Sequence, residues 1–376
     1  MSQPDTNGNL EIECLNSLSS IPPLEWNALT KQNPFISHGF LRNLEVSNCL
    51  EPHGWFPYHL IVKRDNKIIA ALPTYARDNS YGEFVFDWSW ADAYERAGGK
   101  YYPKLVSASP FSPVTGPRLL IDSSQEESFD AKKIILKTID NICRSNGLSS
   151  WHMLFFEPSE LDFYKKEGLL IRQGCQYHWE NHGFQNFTEF LTSLSSKRRK
   201  AIKRERNKLR DSQIKIEIRE GRDIEEMHWD VFHNFYCSTF QKKWSQPRLT
   251  KEFFLNLVNL DEFKPILFLA KDGNHYVAGA FALSSEDCLY GRHWGANSYH
   301  EYLHFELCYY QTIEYCIRHK IKKLDAGAQG EHKLKRGFHP VKTFSAHHII
   351  DKNFKMAISK FLVQETEAVD NYINSL

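Results

Sequence analysis

Apolar and polar positions recur most regularly in two stretches of the chain. Residues 59–76, HLIVKRDNKIIAALPTYA, and residues 266–283, ILFLAKDGNHYVAGAFAL, each read as two apolar strands around a polar turn. The turns centre on Asp65-Asn66 and on Asp272-Gly273-Asn274, residues that tolerate the left-handed conformation of tight hairpins. The two stretches align without a gap at an offset of 208, matching Pro57 with Pro265, Lys63 with Lys271, Asn66 with Asn274 and Ala70 with Ala278. A helical segment precedes each hairpin. An amphipathic helix follows each one, at residues 128–145 and 303–319, and then a short strand, at 151–157 and 323–326. The order helix, hairpin, helix, strand therefore occurs twice, which predicts an internal duplication of one α/β unit. Domain boundaries at 10–175 and 176–376 follow from it.

Between the repeats lie two stretches without a clean period. Residues 83–121 carry Trp88, Trp90, Tyr94, Tyr101, Tyr102 and Phe111 with Asp87, Asp92, Lys104 and Arg118. Two readings fit them: a cleft that stacks a planar or sugar group, and an aromatic inter-domain core. Residues 195–210 read as a helix capped by Ser195 or Ser196, with a narrow apolar stripe of Ile202 and Leu209. Its other faces are cationic. Residues 197–210 hold nine basic residues against the single acid Glu205. Like charges at this density destabilise an isolated helix. An anionic partner for Lys197, Arg198, Arg199, Arg204 and Arg206 is therefore expected.

Length and composition add bounds. A chain of 376 residues has room for two domains, and 41% hydrophobic with 25% charged residues is ordinary for a globular protein. The net charge of +1 is not that of a general nucleic-acid binder, so the positive charge is concentrated rather than spread. No apolar run is long enough to span a bilayer, and the first residues lack a signal pattern, so a cytoplasmic location is expected. The eight cysteines form no CxxC pair, and the spacings around His304, His347 and His348 are not those of a zinc motif; neither disulfides nor a metal are expected.

The second short strand runs into GAQGEHKLKRGF (residues 327–338), a glycine-punctuated turn followed by His332, Lys333, Lys335 and Arg336, with His347 on the returning strand. A strand end with glycines and clustered cations suits an anionic ligand, although a basic turn in solvent has the same appearance. No GxSxG, HExxH, phosphate loop or dinucleotide fingerprint occurs in context, so nucleophilic hydrolysis, nucleotide hydrolysis and dinucleotide redox chemistry have no support. Cationic turns with candidate bases suit group transfer between bound substrates. His332 and Glu306 are the candidate proton acceptors.

Residues 193–218 resemble the segment that opens the second domain of Fem-type peptidyltransferases, whose Lys-x-Arg-x-x-Ile core is matched by Lys197, Arg199 and Ile202. LKRGF resembles the Phe-Lys-x-Gly-Phe signature of that family, with Leu334 in place of Phe and Lys335 as the lysine. From about Asn33 to His348 the chain is similar to the FemAB-like N-acyltransferases, through FDWSWADAYERAGGKYYPKL, SPVTGPRLL, HFELCYYQ and GAQGEHKLKRGF. The resemblance implies tandem GNAT-like (N-acyltransferase) domains of mixed α/β structure, each a splayed sheet flanked by helices. It implies acyl or aminoacyl transfer to an amine of an anionic acceptor such as a peptidoglycan precursor, with acyl-CoA or aminoacyl-tRNA as co-substrate and peripheral membrane contact through a lipid-linked acceptor. A non-catalytic module recognising such a precursor, or an RNA acceptor end, is the alternative. Asp87, Trp88, Trp90, Tyr102, Arg292, Trp294, Tyr310, Gln329, Lys333, Lys335, Arg336 and His347 are the expected substrate-binding residues. Arg292 to Asn297 stands where a GNAT protein has its pyrophosphate loop, but Asn297 departs from that pattern.

Overall fold

A computed structural model describes residues 10–122, 128–242, 245–328 and 330–376. Contacts divide the chain into two units. The first comprises residues 1–174 together with 342–376, and the second comprises 175–341. The last 35 residues thus pack with the first unit, whereas the sequence pattern carried the second domain to 376. The chain enters the second unit along the strand Leu170–Glu180 and leaves it along His339–Ile349, so each crossing lies within a strand. No hydrophobic period marks a boundary of that kind.

The duplication is visible in strand register. In the first unit Leu10–Leu15 pairs antiparallel with His59–Arg64, which pairs with Lys67–Leu72. In the second, Ile214–Glu220 pairs with Lys264–Asp272, which pairs with His275–Ser284. The hairpins are irregular at Val62/Lys63 and at Ala270/Lys271, positions that correspond in the gap-free alignment. A bulge re-aims the strand and is a built feature of a sheet. Its recurrence at equivalent positions supports descent of both hairpins from one unit. Each unit also contains a parallel pair: Lys104–Ser107 with Ser150–Leu154, and Cys288–Ala296 with Lys323–Asp325. A helix precedes the second strand of each pair, Ser128–Ser145 in one and the helical run from Leu303 to Arg318 in the other. Parallel neighbours need such a crossover.

Burial explains why these elements form. In the first unit Ile135, Ile139 and Cys143 of Ser128–Ser145 meet Leu60, Val62, Ile69 and Leu72 of the hairpin. In the second unit, rings from Glu226–Gln241 and Lys251–Asn256 pack on the hairpin: Trp229 and Phe232 lie within 6 Å of Phe281, and Phe254 within 5.5 Å. Gly295 is required where the strand Cys288–Ala296 meets this helix layer, because a Cβ there would lie 2.0 Å from the backbone oxygen of Phe235. Among the described residues no helix is long and apolar enough to cross a membrane.

Candidate functional site

The second unit holds a break in its sheet. Cys288–Ala296 pairs with Lys323–Asp325 only through Cys288, Leu289 and Tyr290. Beyond Gly291 it continues with His275–Ser284 as its partner, up to Ala296. The segment considered for a pyrophosphate loop is therefore strand through Ala296. Arg292 reaches from this strand to the other side of the break, donating from Nη2 to Asp325 Oδ2 at 3.0 Å. Asp325 also accepts from the Gly327 backbone N–H at 2.9 Å, and His178 Nε2 lies 3.9 Å from it. Lys333 Nζ donates to the Gly327 oxygen at 2.7 Å. Gly327 (φ +84°) is thus held at both its peptide groups, which fixes the start of the glycine turn.

Burial dominates the electrostatics here. It pushes the Asp325 carboxyl up, but Arg292, His178 and the Gly327 N–H together hold it well below the usual carboxylate range. Burial lowers Lys333 to about 8, with Asp325 opposing and Arg292 reinforcing the change. His178 and His304 are each brought down to about 4, chiefly by burial. His332 is lowered by burial and by Arg336 and Lys333. The imidazoles of this region are accordingly neutral at pH 7.

A cavity of about 110 Å³ opens at the break, with Arg292, Trp294, His304, Cys308, Tyr309 and Ala326 among its walls. A single π-helical stretch, Glu306–Tyr310, interrupts the helical run beside it. Such stretches are frequent at functional sites because the extra residue re-aims its neighbours. Tyr309 shares a 2.8 Å hydrogen bond between its hydroxyl and His332 Nε2, and the His304 and His332 rings are 6.1 Å apart. Trp294 and His304 also line an outer groove of about 440 Å³ formed by the loop after the strand, with Lys242, Tyr299 and Tyr302. Those two rings stand between groove and cavity. Among the described residues, no three His, Cys, Asp or Glu side chains gather as a metal ion would require.

The expected residues fall into distinct environments. Arg292, Trp294, His332 and Lys333 come together at the break. Glu306 does not serve it as a free base, since its carboxylate accepts from Arg206 (2.8 and 3.2 Å) and from Gln311 (2.8 Å). Arg206 also binds Glu314 and faces the Phe187 ring, so it belongs to the inner side of the basic helix. Arg336 is buried, donating to Glu205 at 2.9 Å and to the Tyr310 hydroxyl at 2.9 Å, while Tyr310 in turn donates to Glu205. Arg336 and Tyr310 thus satisfy each other and Glu205 rather than facing a ligand. Lys335 is exposed. Gln329 lies outside the described residues. The helix Ser196–Arg210 forms as expected, with Ser195 accepting from the Arg198 N–H. Lys197, Arg198, Arg199, Lys200 and Lys203 make no ion pair among the described residues; Arg204 lies near Glu301.

The first-unit candidates separate likewise. Asp87 Oδ2 accepts from Lys104 Nζ at 2.5 Å and from the Tyr101 hydroxyl at 2.7 Å, all buried. Trp90 packs on His347 at 4.9 Å, and His347 Nδ1 shares a 2.6 Å hydrogen bond with His152 Nδ1. Asp87, Trp90 and His347 are therefore interior groups, whereas Trp88 is exposed and Tyr102 half-buried. Sequence reasoning did not single out His178, Tyr309 or Asp325, and considered His304 for metal-motif spacing, which it lacks. Asp325 had a signal, a carboxylate ending a short strand two residues before a glycine; Tyr309 had none.

With this geometry established, the comparisons decide the family. The sequence profile of the FemAB-like family, described as peptidoglycan biosynthesis/recognition, matches residues 17–376. The chain belongs to the FemAB-like family. The crystal structure of FemX superposes on this FemAB-like chain with a TM-score of 0.56 at 13% identity, covering 90% of it and 98% of FemX. A conserved protein of unknown function from Bacteroides thetaiotaomicron follows at 0.51 and 11% identity, covering 89% and 99%. A tandem GNAT protein from the clavulanic acid biosynthesis pathway aligns at 0.48 and 9% identity, covering 91% and 98%. Comparison with curated protein sequences finds no significant match. At these identities the structural likeness establishes fold alone: the FemAB-like chain shares the mixed α/β fold of FemX, and a mixed α/β structure is what the sequence led one to expect.

Proposed function

We propose that the protein is an N-acyltransferase that moves an aminoacyl or acyl group onto the amine of an anionic acceptor, a peptidoglycan precursor, at the sheet break of the second unit. The observation that carries this reading is the placement of His332, whose Nε2 shares a hydrogen bond with the Tyr309 hydroxyl beside a cavity walled by Arg292 and His304. Membership of a family described for peptidoglycan biosynthesis/recognition supports the acceptor class. The acceptor nitrogen attacks the donor carbonyl, forming a C–N bond and a tetrahedral oxyanion. His332 takes the proton that the nitrogen loses. The C–O bond of an ester donor, or the C–S bond of a thioester, then breaks, and the leaving group takes up that proton. Arg292 and Lys333 supply positive charge near the developing oxyanion. Glu306 is left out of proton transfer because Arg206 and Gln311 occupy its carboxylate. The cations of the basic helix that lack ion pairs support an aminoacyl ester carried on RNA as the donor.

The test is incubation with labelled aminoacyl-tRNA and, separately, labelled acyl-CoA over a panel of amines that includes a peptidoglycan precursor. Labelled amide is the expected product, and His332→Gln should lower kcat by roughly 10²–10⁴ while retaining binding. Tight binding of precursor or RNA without transfer from either donor overturns the enzyme reading in favour of a recognition module.

A further inference from the structure

The first unit carries an exposed aromatic surface that the transfer reaction does not use. Tyr81, Phe86 and Trp88 are 61%, 47% and 49% exposed. Their rings touch: Trp88 lies 5.2 Å from Phe86 and 6.0 Å from Tyr81. Isolated exposed apolar side chains are ordinary, but a contiguous group marks a binding surface.

The segment presenting these rings is anchored from beneath by two buried cations. Arg77 stacks 3.9 Å above the Trp55 ring and donates to Glu83 (3.2 Å), to the Asn79 side chain (3.0 Å) and to the Tyr81 backbone oxygen (2.8 Å). Lys104 donates to Ser80 (2.8 Å), Glu83 (2.8 Å) and Asp87 (2.5 Å). Residues 79, 80, 81, 83 and 87 are thereby held while the rings of 81, 86 and 88 project outward. Phe84 adopts φ +62°, a costly conformation for a bulky residue and one found where a backbone is constrained for a purpose. The outward rings are fixed by this framework and do not have the character of a loose loop.

Charge indicates the occupant. Over residues 78–96 the sole cation is Arg96, and Asp92 binds it. The polar groups at the loop surface are the Asp78 carboxylate and the Asn79 amide. The cation that reaches the platform from outside this stretch is Arg172, which donates to the Phe86 backbone oxygen at 2.8 Å and is neutralised by Glu365 at 2.7 Å, so a phosphate-bearing partner finds no unpaired counter-charge there. An uncharged sugar matches it, since the C–H face of a pyranose packs on an aromatic ring and its rim hydroxyls bond to carboxylate and amide groups. We propose that Tyr81, Phe86 and Trp88 form a stacking platform for the pyranose rings of an uncharged N-acetylhexosamine glycan. This surface binds without turnover and does not depend on the transferase reading.

The full chain is titrated with chitotetraose by calorimetry and sedimented with purified peptidoglycan sacculi, with no acyl donor present, so failure of the transferase reading leaves the result intact. Binding is expected, with Trp88→Ala and Tyr81→Ala each weakening it about tenfold and Trp88→Phe retaining most of it. Tyr81 is the more exposed ring, so its variant gives the answer should Trp88→Ala melt early. Absence of binding to both glycans, or unchanged binding by folded Tyr81→Ala, overturns the platform. Binding to polyuridylate or to phosphatidylglycerol vesicles that Tyr81→Ala abolishes overturns it as well, by showing that an anion is the occupant.

Discussion

Lys335 and Arg336 are adjacent in a turn that looks uniformly basic, yet their environments are opposite. Lys335 is exposed, while Arg336 is enclosed by Glu205, Tyr310 and the Phe305 ring 3.5 Å from its guanidinium. Removing one partner of a buried pair strands the other charge. Arg336→Ala should therefore cost about 3–5 kcal/mol, whereas Lys335→Ala should stay within about 0.5 kcal/mol; chemical denaturation of the two variants measures the contrast. The sequence pattern suggested that both residues face an anion, because a run of cations does not reveal which one meets the buried Glu205. Titration extends the same logic. His178 and His304 are held neutral down to about 4, while an unfolded imidazole protonates near 6.5. Between these values the unfolded chain binds more protons, so stability is full above about pH 6.5 and is lost as pH falls toward 4. A melting temperature that is flat from pH 7 to pH 4.5 would contradict the neutral imidazoles.

Helices show what pattern conveys and where it stops. The basic helix was legible through its serine cap, its length and its charge, and Ile202 and Leu209 bury as the stripe requires. Its paired cations were not legible as such: the inward Arg206 is matched by Glu306 and Glu314, and the exposed Lys208 by Glu301, all about a hundred residues away. The amino-terminal cations Lys197, Arg198 and Arg199 make no ion pair among the described residues. Replacing Lys197, Arg198 and Arg199 by Gln should reduce the salt dependence of RNA binding, by about 2 in the logarithmic slope for a single strand. A filter-binding series across salt concentration reads this directly, and an unchanged slope removes the helix from the RNA interface. The helix Trp88–Arg96 was hidden for a different reason. Its preceding residue, Asp87, gives its carboxylate to Lys104 and Tyr101 instead of capping the helix, and its aromatics obscure the helical period. The last helix, Lys352–Asn374, has only a narrow apolar face, yet Ile358 and Leu362 pack with Trp90 and Tyr101, and Glu365 holds Arg172 at 2.7–2.8 Å. A chain ending at Asp351 should expose Trp90 and Tyr101 and lose much of its solubility and thermal stability, which expression and melting of that truncation test.

At the scale of the whole chain, the duplicated hairpin was readable from its gap-free alignment, because register depends on local residue order, and the structure adds a bulge at the same aligned position in both copies. The assignment of the carboxyl-terminal segment was not, because it depends on contacts between residues far apart in sequence. The first unit is assembled from both ends of the chain, with the second inserted between Gly174 and Lys342. At that junction a Cβ on Gly174 would come within 2.8 Å of Thr343 Oγ1, so the outgoing and returning strands run side by side. An insertion between neighbouring backbone positions has an inverse, a deletion that closes over a short gap. Joining Gly174 to Lys342 through a few Gly and Ser residues removes the second unit while keeping the helix Lys352–Asn374, the His152–His347 hydrogen bond and the Lys342–Asp370 ion pair at 2.7 Å. The first unit has its own core of Leu60, Val62, Ile135, Trp151 and Phe156, so the shortened chain should unfold in one cooperative transition. Calorimetry on that chain measures it. A broad, non-cooperative melt would mean that the first unit draws its stability from the insert, and that the duplication records the origin of the two halves without leaving them independent.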